Sequence, residues 1–417
     1  MNSSIGRATT HEFYCEYPDV IDKVLAINVK RYSRNRNYIE GDVSRLSPFV
    51  THGVISTRHL AARAVDKRRN DTSQKEIEKF IFQLAWRDFF HRVWESKGDD
   101  VFENIVHSQL DYGHIRGQMP HAIIHASTGI QVVDNALRTL YSTGYIHNHE
   151  RMWLASIVAN LARTDWRVGA KWMHYHLLDG DLASNTLSWQ WVTGTFSHKQ
   201  YIANQENLNK YATNSDAQQN TFLDVSYDAL ANLETPQELI ERSDWSDDVF
   251  IPDSIQQASL AFGQSKRFFV RSMYHLDPSW HAGEDGQHVI VIEPRVLNRF
   301  PLSELRWDFI QHWASQITAN NARPVIILYA YFNDVFRQAP QDITVVRQAH
   351  RACSQWQCKN MTVEDYPWLF PELDGAYPSF FKFWRIAQTY LQKKEWLDSI
   401  ALESLLLKSL HEANDAA

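Results

Sequence analysis

Apolar and polar positions alternate with a helical period through the first half of the chain and with a strand-like one only later. Within Glu76–Trp94, Phe80, Leu84, Phe89 and Val93 recur at spacings of three to five, with Gln83 and Arg87 between them, which predicts an amphipathic helix. Val132–Tyr141 and Arg151–Leu161 repeat the pattern on either side of Ser142-Thr143-Gly144, and residues 104–128 read as loop. By this measure nearly every segment from Pro18 to Tyr211 is helical. Between Asn214 and Asp285 the pattern weakens into polar turns, with short helices expected at Gln237–Arg242 and Ser254–Phe262.

After Gly286 the period changes. His288–Ile292 and Pro324–Tyr331 are short apolar runs rich in β-branched residues. A helix follows each: Ser303–Asn320, opened by Ser303 and Glu304, and about Asp342–Trp356. Strand–helix–strand–helix with continuous apolar strands predicts a mainly parallel sheet. The carboxyl end, Ser379–Trp396 and Leu397–His411, is helical again. The expected organisation is an α-helical domain over 1–213, a junction over 214–285, and a smaller α/β domain over 286–417.

Composition narrows the class without naming a chemistry. The 417 residues suffice for two domains, and 44% hydrophobic with 22% charged residues is ordinary for a soluble protein. No apolar run approaches the roughly 18–20 residues of a membrane span, and Met1–Arg7 lacks a secretory signal, so a cytosolic address is expected. Cys15, Cys353 and Cys358 fit a reducing compartment and are too few for a four-cysteine iron–sulfur cluster. The two later cysteines are expected on or near a helix, and no metal site is expected. Net charge is −7, but residues 1–211 carry 25 Lys+Arg against 22 Asp+Glu, net +3, leaving −10 for the remainder. The first half can therefore offer phosphates a locally basic face, although a solvated mixed-charge surface explains the same counts.

The most informative chemistry lies in Asp165-Trp166-Arg167, Leu177-Leu178-Asp179-Gly180-Asp181-Leu182-Ala183-Ser184-Asn185 and Trp189-Gln190-Trp191, preceded by Ser142-Thr143-Gly144 and His147-Asn148-His149-Glu150-Arg151-Met152. Carboxylates two residues apart on a turn fit a solvated loop or metal ligation as readily as a binding site. With an amide four residues on and three tryptophans beside them, the set resembles the flavin-binding half of the DNA photolyase/cryptochrome family. That family's pattern is D-W-R, D-G-D-L-A-x-N and W-Q-W after T-G-x-x-H-N-x-x-R-M. The resemblance covers about residues 25–211. Relatives with an antenna pigment carry an α/β domain ahead of the helical one. Here the α/β pattern follows instead, so the chain looks like a short photolyase-like protein lacking the usual amino-terminal antenna domain.

The resemblance implies FAD held in the helical domain. Val43-Ser44-Arg45-Leu46-Ser47 matches T-S-R-L-S at the flavin diphosphate, with Val43 replacing the usual Thr; hydroxyls and N–H groups at a helix start suit phosphate. Tyr32 and Arg36 match a pair touching phosphate and DNA respectively, and Arg87 joins the flavin contacts. Asp179 is expected to pair with Arg151, Asp181 to meet the flavin and its ribitol, and Asn185 to sit beside N5. An amide there, unlike a carboxylate, does not repel a reduced anionic flavin. Trp189 and Trp166 match the first two members of an electron-hopping chain whose outer member has no tryptophan at the expected place, Tyr112 being nearest.

For DNA, Trp86 and Trp191 match the aromatics that hold an extruded lesion, with Asn148 and His149 nearby. Extrusion costs least from damaged or single-stranded DNA. Asn148 and Met152 resemble enzymes that split cyclobutane pyrimidine dimers. Gln83 stands where such enzymes have glutamate, His149 where they have Arg, and Tyr145 where they have Trp. The implied activity is light-driven, FADH⁻-dependent splitting of cyclobutane dimers in UV-damaged, preferably single-stranded DNA. Alternatives are a cryptochrome-like blue-light receptor, a (6-4) photolyase and a light-insensitive flavoprotein. No G-x-G-x-x-G follows either expected strand. The α/β domain is read as a structural or degenerate antenna module, with any second chromophore and any protein partner unspecified.

Overall fold

The computed structural model describes residues 12–66, 72–107, 117–197, 199–246, 248–257 and 260–415. Its first half is helical: α1 (Tyr17–Leu25), α2 (Val29–Asn35), α3 (Ser47–Thr51), α4 (Thr57–Val65), α5 (Gln74–Lys97), α6 (His121–Ile124), α7 (Gln131–Thr143), α8 (Asn148–Ala155), α9 (Trp166–His176), α10 (Leu182–Thr193) and α11 (Gln205–Tyr211). Local signals set several ends. Ser73 and Glu76 form a reciprocal capping box at the start of α5, and Gly144 and Gly194 close α7 and α10 in the left-handed conformation. Past α8 the backbone widens into a π-type turn, Ser156–Leu161, so the helix expected over Arg151–Leu161 is interrupted. No described helix is long and apolar enough to cross a membrane.

The junction expected over 214–285 holds more order than its polar composition implied. After α12 (Tyr227–Ala231), the helix expected over Gln237–Arg242 is a single 3₁₀ turn at Gln237–Leu239, and Arg242–Ser243 (β2) pairs antiparallel with Met119–Pro120 (β1). Gln256–Gln257 (β3) is a strand rather than part of a helix over Ser254–Phe262. Arg267–Ser272 (β4) is buried throughout except its first residue and lies at the middle of the sheet. Its two arginines masked it: Arg271 is fully buried, its two terminal nitrogens donating to the carbonyls of Asp277 and Trp280. The sheet therefore begins before residue 286.

Beyond it come β5 (Gln287–Ile292), α13 (Pro294–Arg299), α14 (Glu304–Ala319), β6 (Ile326–Tyr329), α15 (Phe332–Phe336), β7 (Thr344–Gln348) and β8 (Met361–Glu364). The six strands run parallel in the order β3-β6-β5-β4-β7-β8, so the expected parallel sheet is present. The helix expected over Asp342–Trp356 is instead β7 and a single turn at Arg351–Cys353, because the β-branched run Ile343-Thr344-Val345-Val346 pairs with β4. Cys353 is buried in that turn and Cys358 is half-buried in the loop before β8.

The last helices, α16 (Phe380–Tyr390) and α17 (Lys394–Asp415), return to the helical half. His411 meets Asp22 of α1, Lys408 meets Asp66, and Arg58 of α4 pairs with Glu403. One apolar core runs from α1, α4 and α5 through the sheet to α14 and α17, and a second surrounds α7–α10. The helical half is thus built on the α/β half rather than tethered to it.

Candidate functional site

Between α5, α8 and α10 lies a cavity of about 520 Å³, within the range of ligand pockets. Each helix presents one stripe to it at the i, i+3, i+4, i+7 spacing of a single helical face: Gln83, Trp86, Arg87 and Phe90 from α5; Asn148, Arg151, Met152 and Ala155 from α8; Asn185, Ser188, Trp189 and Val192 from α10. The floor comes from Met173, Leu177, Asp179 and Asp181, and the rim from Tyr32, Arg36, Val43, Ser44, Arg45, Ser47, His149 and Trp191. Of the described residues given a binding or catalytic role from the sequence, all but Leu46 and Trp166 meet there.

Leu46 and Trp166 do not line the cavity. Leu46 is fully buried and packs in the core with Phe49, so it supports the Val43–Ser47 loop from behind. Trp166 is buried at the start of α9, its Nε1–H donating to Asn104 at 2.7 Å. It still neighbours Trp189 through that helix: a Cβ at Gly169, three residues on, would lie 2.4 Å from the Trp189 ring. Tyr112 falls outside the described residues.

The two carboxylates are held differently. Asp179 accepts from Arg151 at 2.9 Å and from the Ser47 hydroxyl at 2.5 Å, which ties α8 to the first residue of α3. Asp181 caps α10 through the Ser184 N–H, while its other oxygen meets both Arg87 and His91 at 2.9 Å. Burial opposes the charge on Asp181, yet Arg87, His91 and the Ser184 N–H outweigh it and hold the carboxyl well below its usual range. Both oxygens are thus engaged by protein, so that Asp181 offers the cavity its charge and holds Arg87 in place. His91 lies one turn beyond Arg87 on α5, between Asp88 and Arg92, which pair with each other.

Other side chains are equally constrained. Asn185 donates to the Ala170 carbonyl at 2.8 Å, which leaves Oδ1 to present an acceptor. Asn148 reaches Met152 sulfur at 3.5 Å, and Arg45 pairs bidentately with Glu12, at 2.8 and 2.9 Å. Arg36 stands 5.9 Å from the Tyr32 ring. Burial keeps His147 and His149 neutral, each pushed down to about 4.

Five buried polar atoms belonging to cavity-lining residues have no hydrogen-bond partner among the described residues: Asp179 Oδ1, Arg87 Nε, Ser184 Oγ, His149 Nδ1 and Trp189 Nε1. Buried polar groups are rarely left so, and their concentration here fits a ligand with both donors and acceptors. A flavin nucleotide, with a planar ring edged by carbonyls and ring nitrogens, matches that donor set. Tyr145, Thr51, Phe90, Met173 and Leu177 complete the wall. Apart from Tyr145 they went unread because nothing separates them from core residues in a single sequence.

Residues 80–241 match the family model of the FAD-binding domain of DNA photolyase. The chain is 37% identical over 165 residues to a deoxyribodipyrimidine photo-lyase of Streptomyces griseus, covering 39% of this chain and 35% of that protein. It is 31% identical over 172 residues to a cryptochrome DASH of Natronomonas pharaonis, covering 40% and 36% respectively. The crystal structure of a class III photolyase from Agrobacterium tumefaciens aligns with a TM-score of 0.42 at 27% identity, over 47% of this chain and 42% of that one. The chain thus spans about a third of the length of these curated relatives.

Proposed function

We propose that this chain, whose residues 80–241 match the FAD-binding domain of DNA photolyase, binds FAD between α5, α8 and α10 and splits cyclobutane pyrimidine dimers in DNA under light. When bound and reduced, the flavin would supply the light-excited electron that opens the dimer ring. The protein's part is to bind, orient and exclude water. Arg151–Asp179 and Arg87–Asp181 fix the cavity floor, Ser44 and Ser47 offer hydroxyls for the diphosphate, and Asn185 stands for the flavin ring. Trp86 and Trp191 offer faces for the extruded bases, with Asn148, Met152 and Gln83 beside them.

The observation that carries this reading is that both tryptophans open onto the same cavity as the paired carboxylates, so a base stacked on either lies next to whatever the floor holds. A single strand is the preferred substrate on this reading. Extrusion then costs less, and the net charge of +3 over residues 1–211 supports only modest phosphate attraction. The test is illumination of the reduced protein with dimer-containing oligonucleotides. Loss of dimers in light alone supports the proposal, and intact dimers in both single and double strands overturn it.

A second reading, a cryptochrome-like receptor, is favoured by Gln83, Tyr145 and His149 at the mouth. It requires a light-dependent change in oligomeric state or partner binding, with no repair of any substrate.

A further inference from the structure

Arg306, from the α/β half, is wholly buried against the loop that carries Asp179 and Asp181. Its Nη2 donates to the Gly180 carbonyl at 2.7 Å, its Nη1 meets the His174 ring and carbonyl at 3.2 and 3.3 Å, and its Nε stands 3.4 Å from His52. Every one of these partners is neutral, and Arg306 forms no ion pair among the described residues. His52 is itself fixed between the Leu178 and Met273 carbonyls, at 3.0 and 2.7 Å, so both halves of the chain converge on this spot. A buried guanidinium without a carboxylate is expensive unless its charge serves something nearby. The approach also explains the glycine between the aspartates: a Cβ at Gly180 would lie 2.6 Å from Arg306 Nη1 and 2.7 Å from the His174 carbonyl.

We propose that Arg306 is a positioning residue of the flavin site: it clamps the loop Leu177–Asp181 from beneath and lends the cavity floor a positive charge that favours an anionic ligand. The inference rests on the reading that the cavity holds FAD. The geometry separates the two effects. The clamp requires the fork of donors that reaches Gly180 and His174, and the charge requires only a cation. Lysine keeps the second and loses most of the first, whereas methionine loses both.

The full chain is compared with its Arg306→Met and Arg306→Lys variants. Amide hydrogen exchange over residues 174–181 is measured in flavin-free protein, and FAD affinity and flavin midpoint potential after reconstitution. Both variants should speed exchange in the loop and bind FAD about tenfold more weakly, within the usual range of such couplings. Methionine should also lower the midpoint potential, by ~30 mV for each tenfold loss in preference for the reduced form, and lysine should restore it. Unchanged exchange in both variants, or the same potential in methionine and wild type, overturns the proposal. If methionine does not fold, the lysine variant decides by its loop exchange and affinity alone. Failure of the wild-type protein to take up FAD removes the flavin reading and the charge effect, while loop exchange still decides the clamp.

Discussion

The ring of Phe380 lies flat on the indole of Trp86, with centroids 3.6 Å apart and planes within 10°. Phe380 opens α16 behind its Ser379 cap and is almost completely buried, whereas Trp86 is half-buried on the cavity wall. One face of the indole is therefore occupied by the carboxyl-terminal part of the chain, and only the other can meet a base. An aromatic pair of this kind is worth about 0.5–1.5 kcal/mol beyond its buried area. Phe380→Leu, which keeps an apolar side chain there, should weaken binding of a dimer-containing oligonucleotide by about two- to twelvefold on that scale and leave flavin content unchanged. Anisotropy titration beside the flavin spectrum reads both. Loss of flavin together with DNA binding would mean that α16 supports the whole cavity instead.

Trp191 stands on the opposite wall, its ring 5.9 Å from Tyr201 and inclined by 30°. Among the described residues no flat ring covers it as Phe380 covers Trp86, so its removal should disturb the fold less. Trp191→Ala should cost the stacking of one base, about 1–3 kcal/mol or roughly five- to 150-fold in affinity for damaged DNA. Bound flavin should persist. Equal losses for damaged and undamaged strands would show that the indole serves general strand binding rather than an extruded base.

The Arg151–Asp179 pair should behave as a unit. Asp179 is 6% exposed, and Arg151→Met would leave it with only the Ser47 hydroxyl. Removing one member of a buried pair costs about 3–5 kcal/mol, and the partial exposure of Arg151 puts this case toward the lower end. The expected result is a lower melting temperature and loss of FAD. The double variant Arg151→Met, Asp179→Asn should regain much of the stability without regaining the flavin. A double variant no more stable than Arg151→Met would mean that the stranded carboxylate was not the source of the loss.

These residues were legible because their types and spacings are unusual. An Asp-Gly-Asp followed by Leu-Ala-Ser-Asn and two tryptophans has few purely structural explanations, and Asp179, Asp181, Ser184, Asn185, Trp189 and Trp191 of that set line one cavity. The Val43–Ser47 segment was legible as a run but not residue by residue, since Leu46 turns into the core. Arg306 and Phe380 could not be read at all. Each touches the site across more than a hundred residues of chain, and a single sequence carries no trace of such contacts. The fold shows the same divide: long periodic helices such as α5 stood out, while β4 and β7 were hidden by the arginines within them.

Acid should destabilise the protein well before its carboxylates titrate. Burial holds His52 and His350 neutral, each pushed down to about 3, with charge from nearby Arg306 and His91 respectively adding to the effect. His147 and His149 stand near 4 for the same reason. In the unfolded chain these rings take up protons near pH 6.5, so that state binds more protons and stability falls as pH drops from about 6.5 toward 4. Asp181, held low, adds a further loss only below about pH 4. Melting temperature measured from pH 8 to 4 should be level above 7 and fall steeply below 6.5. A flat profile down to pH 5 would falsify the neutral assignment of these histidines.

Charge transfer to the cavity should depend on the order of two indoles. Trp189 is almost wholly buried on the cavity wall and rests on α9 where Gly169 leaves room for its ring. Trp166 sits three residues earlier on that helix, its N–H fixed by Asn104. An indole is easily oxidised and a phenyl ring is not, so Trp166→Phe preserves packing while removing the second donor. Light-driven reduction of bound flavin, followed by bleaching with an external reductant present, should slow by about tenfold or more in this variant, a barrier change of roughly 1.4 kcal/mol. Trp189→Phe should slow it further, since every route through α9 begins there. FAD affinity and DNA binding should stay near wild type for Trp166→Phe, because that ring does not line the cavity. If Trp166→Phe reduces its flavin at the wild-type rate, electrons enter by another aromatic pair. Trp172 of α9 and Tyr141 of α7, with centroids 6.3 Å apart, are then the residues to replace next.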